Sequence, residues 1–331
     1  MRSGLLIAFT LAFLLPVMVG AQSLESVMTN ASPFTVSVTP QYPAPYSQAT
    51  LSLLSASLDL VNSTMTVSVG GKEIYQGSVR PVAVSLGGTG SVTNVVVKIV
   101  TNGTTYTQSL SLQPQDVSLV VEPVSSAPPL YPGKPSVPLE GDVRVVAMAS
   151  LRGASGKAIA PSTYAYSWTV DGASIANASG IGKSTLLVAS PLQYRAREVS
   201  VAVMTQDGAF AGGAKLTLIP LEPTVRMYEN DPLLGLRYER AIVGEFDISS
   251  AESSLYAAPF SLPTTGGAPL IRWFLDGSVV QTGPSITLRP TGGGRGNASL
   301  SFVASVGDFV TATANLSLIF GARPSTNFFG L

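Results

Sequence analysis

The chain contains no cysteine and no histidine in 331 residues. Without cysteine it has no disulfides, thiolate metal sites, cysteine nucleophile or lipid-bearing lipoprotein cysteine. Without histidine it has no Ser-His-Asp triad, no common zinc ligand set and no imidazole proton shuttle. Charge is scarce as well. Only 11% of residues are charged, against roughly 25% in an average globular protein. Lys plus Arg equals Asp plus Glu, at 19 each, and no basic stripe exists to neutralise phosphates, so nucleic acid is not an expected partner. Beyond the N-terminal segment no apolar run approaches the roughly 20 residues of a spanning helix, so the mature chain is expected to lack an integral membrane span. No cofactor is expected.

Hydrophobic residues make up 45% of the chain, ample for packed cores. The surface must then be clothed in Ser, Thr, Asn, Gln and Gly. The N-terminus reads as a secretory signal over residues 1–21. Arg2 supplies the charge, Leu5 to Val19 the apolar stretch, and Val19-Gly20-Ala21 the small-residue cleavage site. The mature chain is expected to be exported, either secreted or at the cell surface. Six Asn-x-Ser/Thr triplets occur, at Asn30, Asn62, Asn102, Asn177, Asn297 and Asn315. In so Ser/Thr/Asn-rich a chain they read as coincidence.

The body alternates in short strands punctuated by Gly, Pro and Asn, with no amphipathic helical period. Trp168-Thr169-Val170-Asp171-Gly172 and Trp273-Phe274-Leu275-Asp276-Gly277 are the same unit twice, an apolar strand ending in an Asp-Gly hairpin turn. Val67-Ser68-Val69-Gly70-Gly71 aligns beneath them. The spacing is about 100 residues, the size of an immunoglobulin-type sandwich. The expected fold is all-β: three tandem Ig-like β-sandwiches at 30–114, 115–221 and 222–320, followed by a tail at 321–331. The linkers around Gln113 to Asp116 and Pro220 to Pro223 are short, and Pro stiffens them, which predicts a semi-rigid rod.

One feature differs among the repeats. The link between first and second strands runs from Pro40 to Gln48, then Pro123 to Gly141, then Glu229 to Glu252. The last two exceed the length at which structureless loops become uncommon and often functional.

The signal peptide, the Trp-x-x-Asp-Gly strand ends, Pro128-Pro129-Leu130-Tyr131-Pro132-Gly133-Lys134, Tyr228-Glu229-Asn230-Asp231-Pro232-Leu233-Leu234-Gly235 and the tail Asn327-Phe328-Phe329-Gly330-Leu331 together resemble a family. It comprises uncharacterised secreted bacterial proteins with tandem Ig-like, PKD-like domains, of the kind seen in small-genome candidate bacteria. The lack of cysteine agrees with a bacterial source. The resemblance spans the mature chain and carries no known activity. It implies an extracellular structural or adhesive role, near pili or the cell envelope. The aspartate-rich core motif of true PKD domains is absent.

Trp168 and Trp273 read as core residues and not as glycan-stacking platforms. Gly180-Ile181-Gly182-Lys183-Ser184-Thr185 mimics a phosphate loop but has Asn177 where the pattern requires Gly. Glu229, Asn230 and Asp231 are weak calcium candidates, offering three oxygen donors where six to eight ligands are needed. Tyr131 on the Pro-rich link, Tyr238 on the third link, and Phe328, Phe329 and Leu331 in the tail are candidates for binding a partner. That partner would be a protein or a surface glycan outside the cell. No constellation points to catalysis, so an enzyme is not expected. A glycan-binding module is the alternative to a structural or adhesive role, and a hydrolase using paired carboxylates comes third.

Overall fold

The computed structural model describes residues 33–321, apart from 130, 154, 249, 250, 293 and 309. The expected signal peptide and the tail candidates Phe328, Phe329 and Leu331 lie outside the described residues.

The chain is all-β. The first repeat supplies β1 (Thr35–Thr39), β2 (Gln48–Leu54), β3 (Thr64–Val69), β4 (Lys72–Ser78), β5 (Val82–Ser85), β6 (Thr93–Thr101) and β7 (Thr104–Leu112). The second supplies β8 (Asp116–Pro123), β9 (Asp142–Ser150), β10 (Ala165–Val170), β11 (Ala173–Ser174), β12 (Gly180–Ile181), β13 (Thr185–Ala189), β14 (Arg197–Met204) and β15 (Ala211–Leu218). The third supplies β16 (Thr224–Asp231), β17 (Gly235–Ile242), β18 (Gly244–Ile248), β19 (Ser253–Phe260), β20 (Leu270–Leu275), β21 (Ser278–Thr282), β22 (Ser285–Leu288), β23 (Gly296–Val306) and β24 (Val310–Phe320). Among the described residues no helix is long and apolar enough to cross a membrane.

The sheet orders repeat. The first repeat has β1-β2-β5 and β4-β3-β6-β7, and the second has β13-β9-β8 and β11-β10-β14-β15, with β12 also on β10. A three-stranded sheet and a hairpin-led sheet in each of these repeats is the strand complement of an Ig-like sandwich. The third repeat enlarges both sheets: β17 joins beyond β16, and β18 runs parallel to β24 at the edge of the other sheet. By its contacts the chain divides into two compact units. One holds 33–36, 53–80 and 94–111, and the other holds 37–52, 81–93 and 112–321.

Alternation along each strand decides which face is buried. On β9, Val143, Val145 and Ala147 are buried while Arg144 and Met148 face out. Their core also takes Trp168, Leu186, Val199, Val201 and Leu218 from both sheets of the second repeat. In the third, Met227, Leu255 and Ile286 of one sheet close on Trp273, Leu300, Phe302 and Leu316 of the other. An aromatic of this size buries 150–250 Å², worth roughly 4–6 kcal/mol at about 25 cal/mol per Å².

The third link departs from expectation. Glu229 to Glu252 reads as a loop in the sequence, yet it forms the end of β16, all of β17 and all of β18. The turn is local chemistry. Asp231 Oδ1 accepts the backbone N–H of Leu233 at 2.7 Å and of Leu234 at 2.9 Å, and Gly235 takes φ 76. Pro232 can occupy the turn because no ladder bond is asked of it there. A short polar-apolar alternation then suffices for β18: Ile248 is buried, while Glu245 and Asp247 are exposed.

Candidate functional site

Two kinds of place concentrate side-chain chemistry: the hairpin corners and the joints between repeats.

The corners are alike in all three repeats. Each has two residues at positive φ: Gly70 and Gly71 (57 and 85), Asp171 and Gly172 (50 and 81), and Asp276 and Gly277 (46 and 81). This is the type I′ geometry that matches strand twist. Ahead of the corner, Val67, Trp168 and Trp273 are each fully buried. The Trp168 Nε1–H donates to the Lys183 carbonyl at 2.9 Å, and that of Trp273 to the Gly283 carbonyl at 2.9 Å. Trp273 also meets Phe302 edge-on, with centroids 4.8 Å apart. Neither indole can stack on a glycan.

The corner aspartates do more than turn the chain. Asp171 donates its N–H to the Glu198 carbonyl at 2.9 Å, and its Oδ1 accepts the Glu198 N–H at 2.9 Å. Asp276 repeats this with Ser299, at 2.9 and 2.8 Å. Each corner is thereby pinned to the next strand of its sheet. Gly70 makes only the first of the two bonds, to the Asn94 carbonyl at 2.9 Å. Sequence reading reached the turn and missed the pin, because the acceptor's partner is more than 20 positions away.

The joint between second and third repeats is built by the Pro-rich link. Its start lies antiparallel to the segment after β19, with Ser125 opposite Pro263. Ser126 N–H donates to the Leu262 carbonyl at 2.7 Å, and the Ser126 carbonyl accepts from Ser261 at 3.0 Å. Ser126 Oγ accepts the Leu262 N–H at 3.1 Å, and Thr264 N–H donates to the Val124 carbonyl at 3.0 Å. At Gly141 the approach is so close that a Cβ would lie 2.8 Å from Pro263 Cβ, and φ is 98. Only glycine fits there.

Tyr131 and Tyr238 both belong to this joint. The Tyr131 ring meets Phe260 edge-on at 5.2 Å, and Arg226 lies over the same Phe260 ring at 5.8 Å. Between the pairs Tyr228↔Ala241 and Asn230↔Leu236 the register of β16 and β17 breaks, and Tyr238 lies on the resulting bulge. Bulges re-aim side chains. This one turns Tyr238 edge-on to Tyr228 (5.1 Å) and Tyr256 (6.4 Å), with its hydroxyl donating to the Pro129 carbonyl at 3.2 Å. Burial first, and the neighbouring tyrosine second, push the Tyr238 and Tyr256 hydroxyls above the ordinary tyrosine pKa.

The calcium candidates share the end of β16 without forming a cage. Glu229 is exposed, while Asn230 and Asp231 are half-buried. The Asp231 carboxylate is taken up by the two turn N–H groups, which hold its pKa below the usual carboxylate value. Among the described residues no three acidic side chains cluster as metal ligands.

Where the second repeat meets the first, Gln115 is 3% exposed and braces the second repeat's own Arg152. Its Oε1 accepts the Arg152 N–H at 2.7 Å and its Nε2 donates to the Arg152 carbonyl at 3.0 Å. Gln113 Nε2 donates to the Gly90 carbonyl at 3.0 Å, and Gly90 N–H to that of Pro114 at 2.7 Å. Tyr42, on the first link, lies over Gly213, where a Cβ would stand 2.5 Å from its ring. Burial raises the Tyr42 pKa. Nothing in the sequence marked Gln115 or Tyr42. Two open, modest depressions are found among the described residues. One of about 370 Å³ lies beside Phe34 and Leu54, and one of about 440 Å³ beside Asp276, Asn297 and Asn315.

No protein-family model matches the chain, and no curated protein matches it. Three solved structures are similar in part. The three N-terminal domains of the bacteriophage RB49 highly immunogenic outer capsid protein (Hoc) are 11% identical over 89% of this chain and 100% of theirs, with a TM-score of 0.24. The central fibronectin-III array of RIM-binding protein is 10% identical over 89% and 97%, with a TM-score of 0.27. The fibronectin(III)-like modules of Clostridium thermocellum CbhA are 12% identical over 60% and 95%, with a TM-score of 0.22. Likeness at this level carries no argument, and the fold rests on the chain's own sheets and cores.

Proposed function

We propose that this is a non-catalytic structural or adhesive protein of the cell exterior, in which three Ig-like domains at 30–114, 115–221 and 222–320 are exported by the N-terminal signal. The observation that carries the reading is the use of the variable links. Tyr42 of the first link packs on the second repeat at Gly213, and Ser126 of the second link pairs with the third at Leu262. Chemistry that could face a substrate is spent on holding successive repeats together. A chain so jointed transmits position and force between its ends, as a spacer or adhesin of the envelope or of pili must. The burial of Trp168 and Trp273 removes the aromatic platforms on which the glycan-binding alternative leaned.

The test is made on intact producing cells. Protease added outside should digest the chain, and a strain lacking it should lose attachment or envelope organisation. A chain protected inside the cell would overturn the reading. So would polysaccharide hydrolysis abolished by a single carboxylate-to-amide variant.

A further inference from the structure

β21 differs from its counterparts. It follows the Asp276-Gly277 corner as β4 follows Gly70-Gly71 and β11 follows Asp171-Gly172. Each lies at the outer edge of its sheet. On an edge strand, alternate backbone N–H and C=O groups point away from the sheet and can pair with another chain. β4 opens with Lys72 and Glu73. β11 has two residues, and β12 pairs with the rest of β10. β21 is Ser278-Val279-Val280-Gln281-Thr282, without charge or proline, and all five residues are exposed. Among the described strands of five or more residues it alone has every residue exposed. Val279 and Val280 are 56% and 47% exposed.

We propose that β21 is a homotypic pairing edge, adding antiparallel to β21 of a second copy of this chain. In any register the strand meets only Ser, Thr, Gln and Val side chains, so no like charges oppose each other. The same sheet's other edge, β18, carries Glu245 and Asp247, which would face their own copies and repel. Self-pairing is therefore open at one edge and closed at the other. The contact is isologous: it uses both β21 edges and stops at a dimer. Five residues per chain cover far less than the roughly 1,200 Å² of the smallest stable interfaces. The β20–β21 register also shifts near Phe274, which shortens the pairing run. The dimer is a weak one, populated where copies are crowded. This inference is independent of the surface role proposed above.

The experiment is sedimentation of the full mature chain from about 10 μM to about 1 mM, the range in which weak complexes populate. Amide exchange over residues 278–282 is followed at both ends of the range. The wild type should shift toward dimer, with slower exchange at 278–282 when concentrated. V279K/V280K, at exposed positions, should weaken dimerisation at least tenfold, with the far-ultraviolet spectrum unchanged. E245S/D247S should leave the β21 dimer intact. A wild type monomeric throughout, a V279K/V280K chain that dimerises equally, or growth into open filaments would each overturn the proposal. So would concentration-independent exchange at 278–282, a readout that requires no variant.

Discussion

The hairpin corners and the inter-strand links meet opposite demands within the same repeats. The corners are one device used three times, with a buried residue, a type I′ turn and a bond to the next strand. The links are three different devices that reach out of the repeat. The difference separates what makes a sandwich from what joins sandwiches. The sharpest way to break the comparison is at the buried residue. Trp168→Ala or Trp273→Ala should cost about 3–5 kcal/mol, since each also strands the carbonyl that its indole satisfies. Val67→Ala in the first repeat should cost less, roughly 1–3 kcal/mol. Denaturant unfolding followed by the fluorescence of the remaining tryptophan distinguishes loss of one repeat from loss of the whole. Equal costs at Val67 and Trp168 would mean that the three corners do not carry their cores in the same way.

The next test moves from the corner to the joint. Gln115→Ala removes both side-chain bonds to the part-buried Arg152 backbone, a loss of about 1–3 kcal/mol for the two together. The damage should centre on the start of the second repeat, next to the Tyr42–Gly213 contact that joins it to the first. The expected outcome is a split thermal transition in calorimetry, where the wild type shows a merged one. Ser126→Pro removes the 2.7 Å bond to Leu262 and should split the transition of the second and third repeats in the same way. A single unshifted transition in both variants would show that the links do not couple the repeats.

This division also explains what was legible in the sequence. The corners and cores could be read because they are local: Trp168 and Asp171 sit three positions apart, and alternation along β9 is visible in a nine-residue window. The joints could not be read. Gln115 answers to Arg152, and Ser126 to Leu262, across distances that no periodicity spans. The third link reads as a loop starting at Pro232, whereas in the structure Pro232 sits in the tight turn between β16 and β17. Tyr131 and Tyr238 read as candidates for an outside partner, and in the structure each also contacts the chain itself, Tyr131 on Phe260 and Tyr238 on Pro129.

The aspartate pin sharpens the comparison between corners. Asp276→Ala removes the side-chain bond to Ser299, Asp171→Ala removes those to Glu198 and Arg197, and each places alanine at positive φ, for a loss of about 1–2 kcal/mol. Gly70→Asp is the reciprocal change. Nothing lies within 4 Å of a Cβ built there, and the Asn94 N–H is the counterpart of those of Glu198 and Ser299. The variant should gain about 0.5 kcal/mol, read as a higher denaturation midpoint. A loss would show that the first corner differs in backbone and not only in side chain.

The smallest effect belongs to the turn that tips the third link. Asp231 accepts the N–H groups of Leu233 and Leu234, and these bonds lower its folded-state pKa. A carboxyl with a depressed folded pKa contributes stability that is fully present above its unfolded value of about 3.9 and is lost as pH falls through the folded value. The tip should therefore hold unchanged from neutrality down to about pH 4. Below that, exchange of the Leu233 and Leu234 amides should rise in the wild type. Asp231→Asn keeps an acceptor oxygen without the titration and should flatten that rise, while the corner aspartates and the remainder of the third repeat stay folded. Amide exchange that rises equally in wild type and Asp231→Asn would place the acid sensitivity elsewhere in the link. The tip would then be held by Gly235 and the β16–β17 ladder and not by the carboxylate.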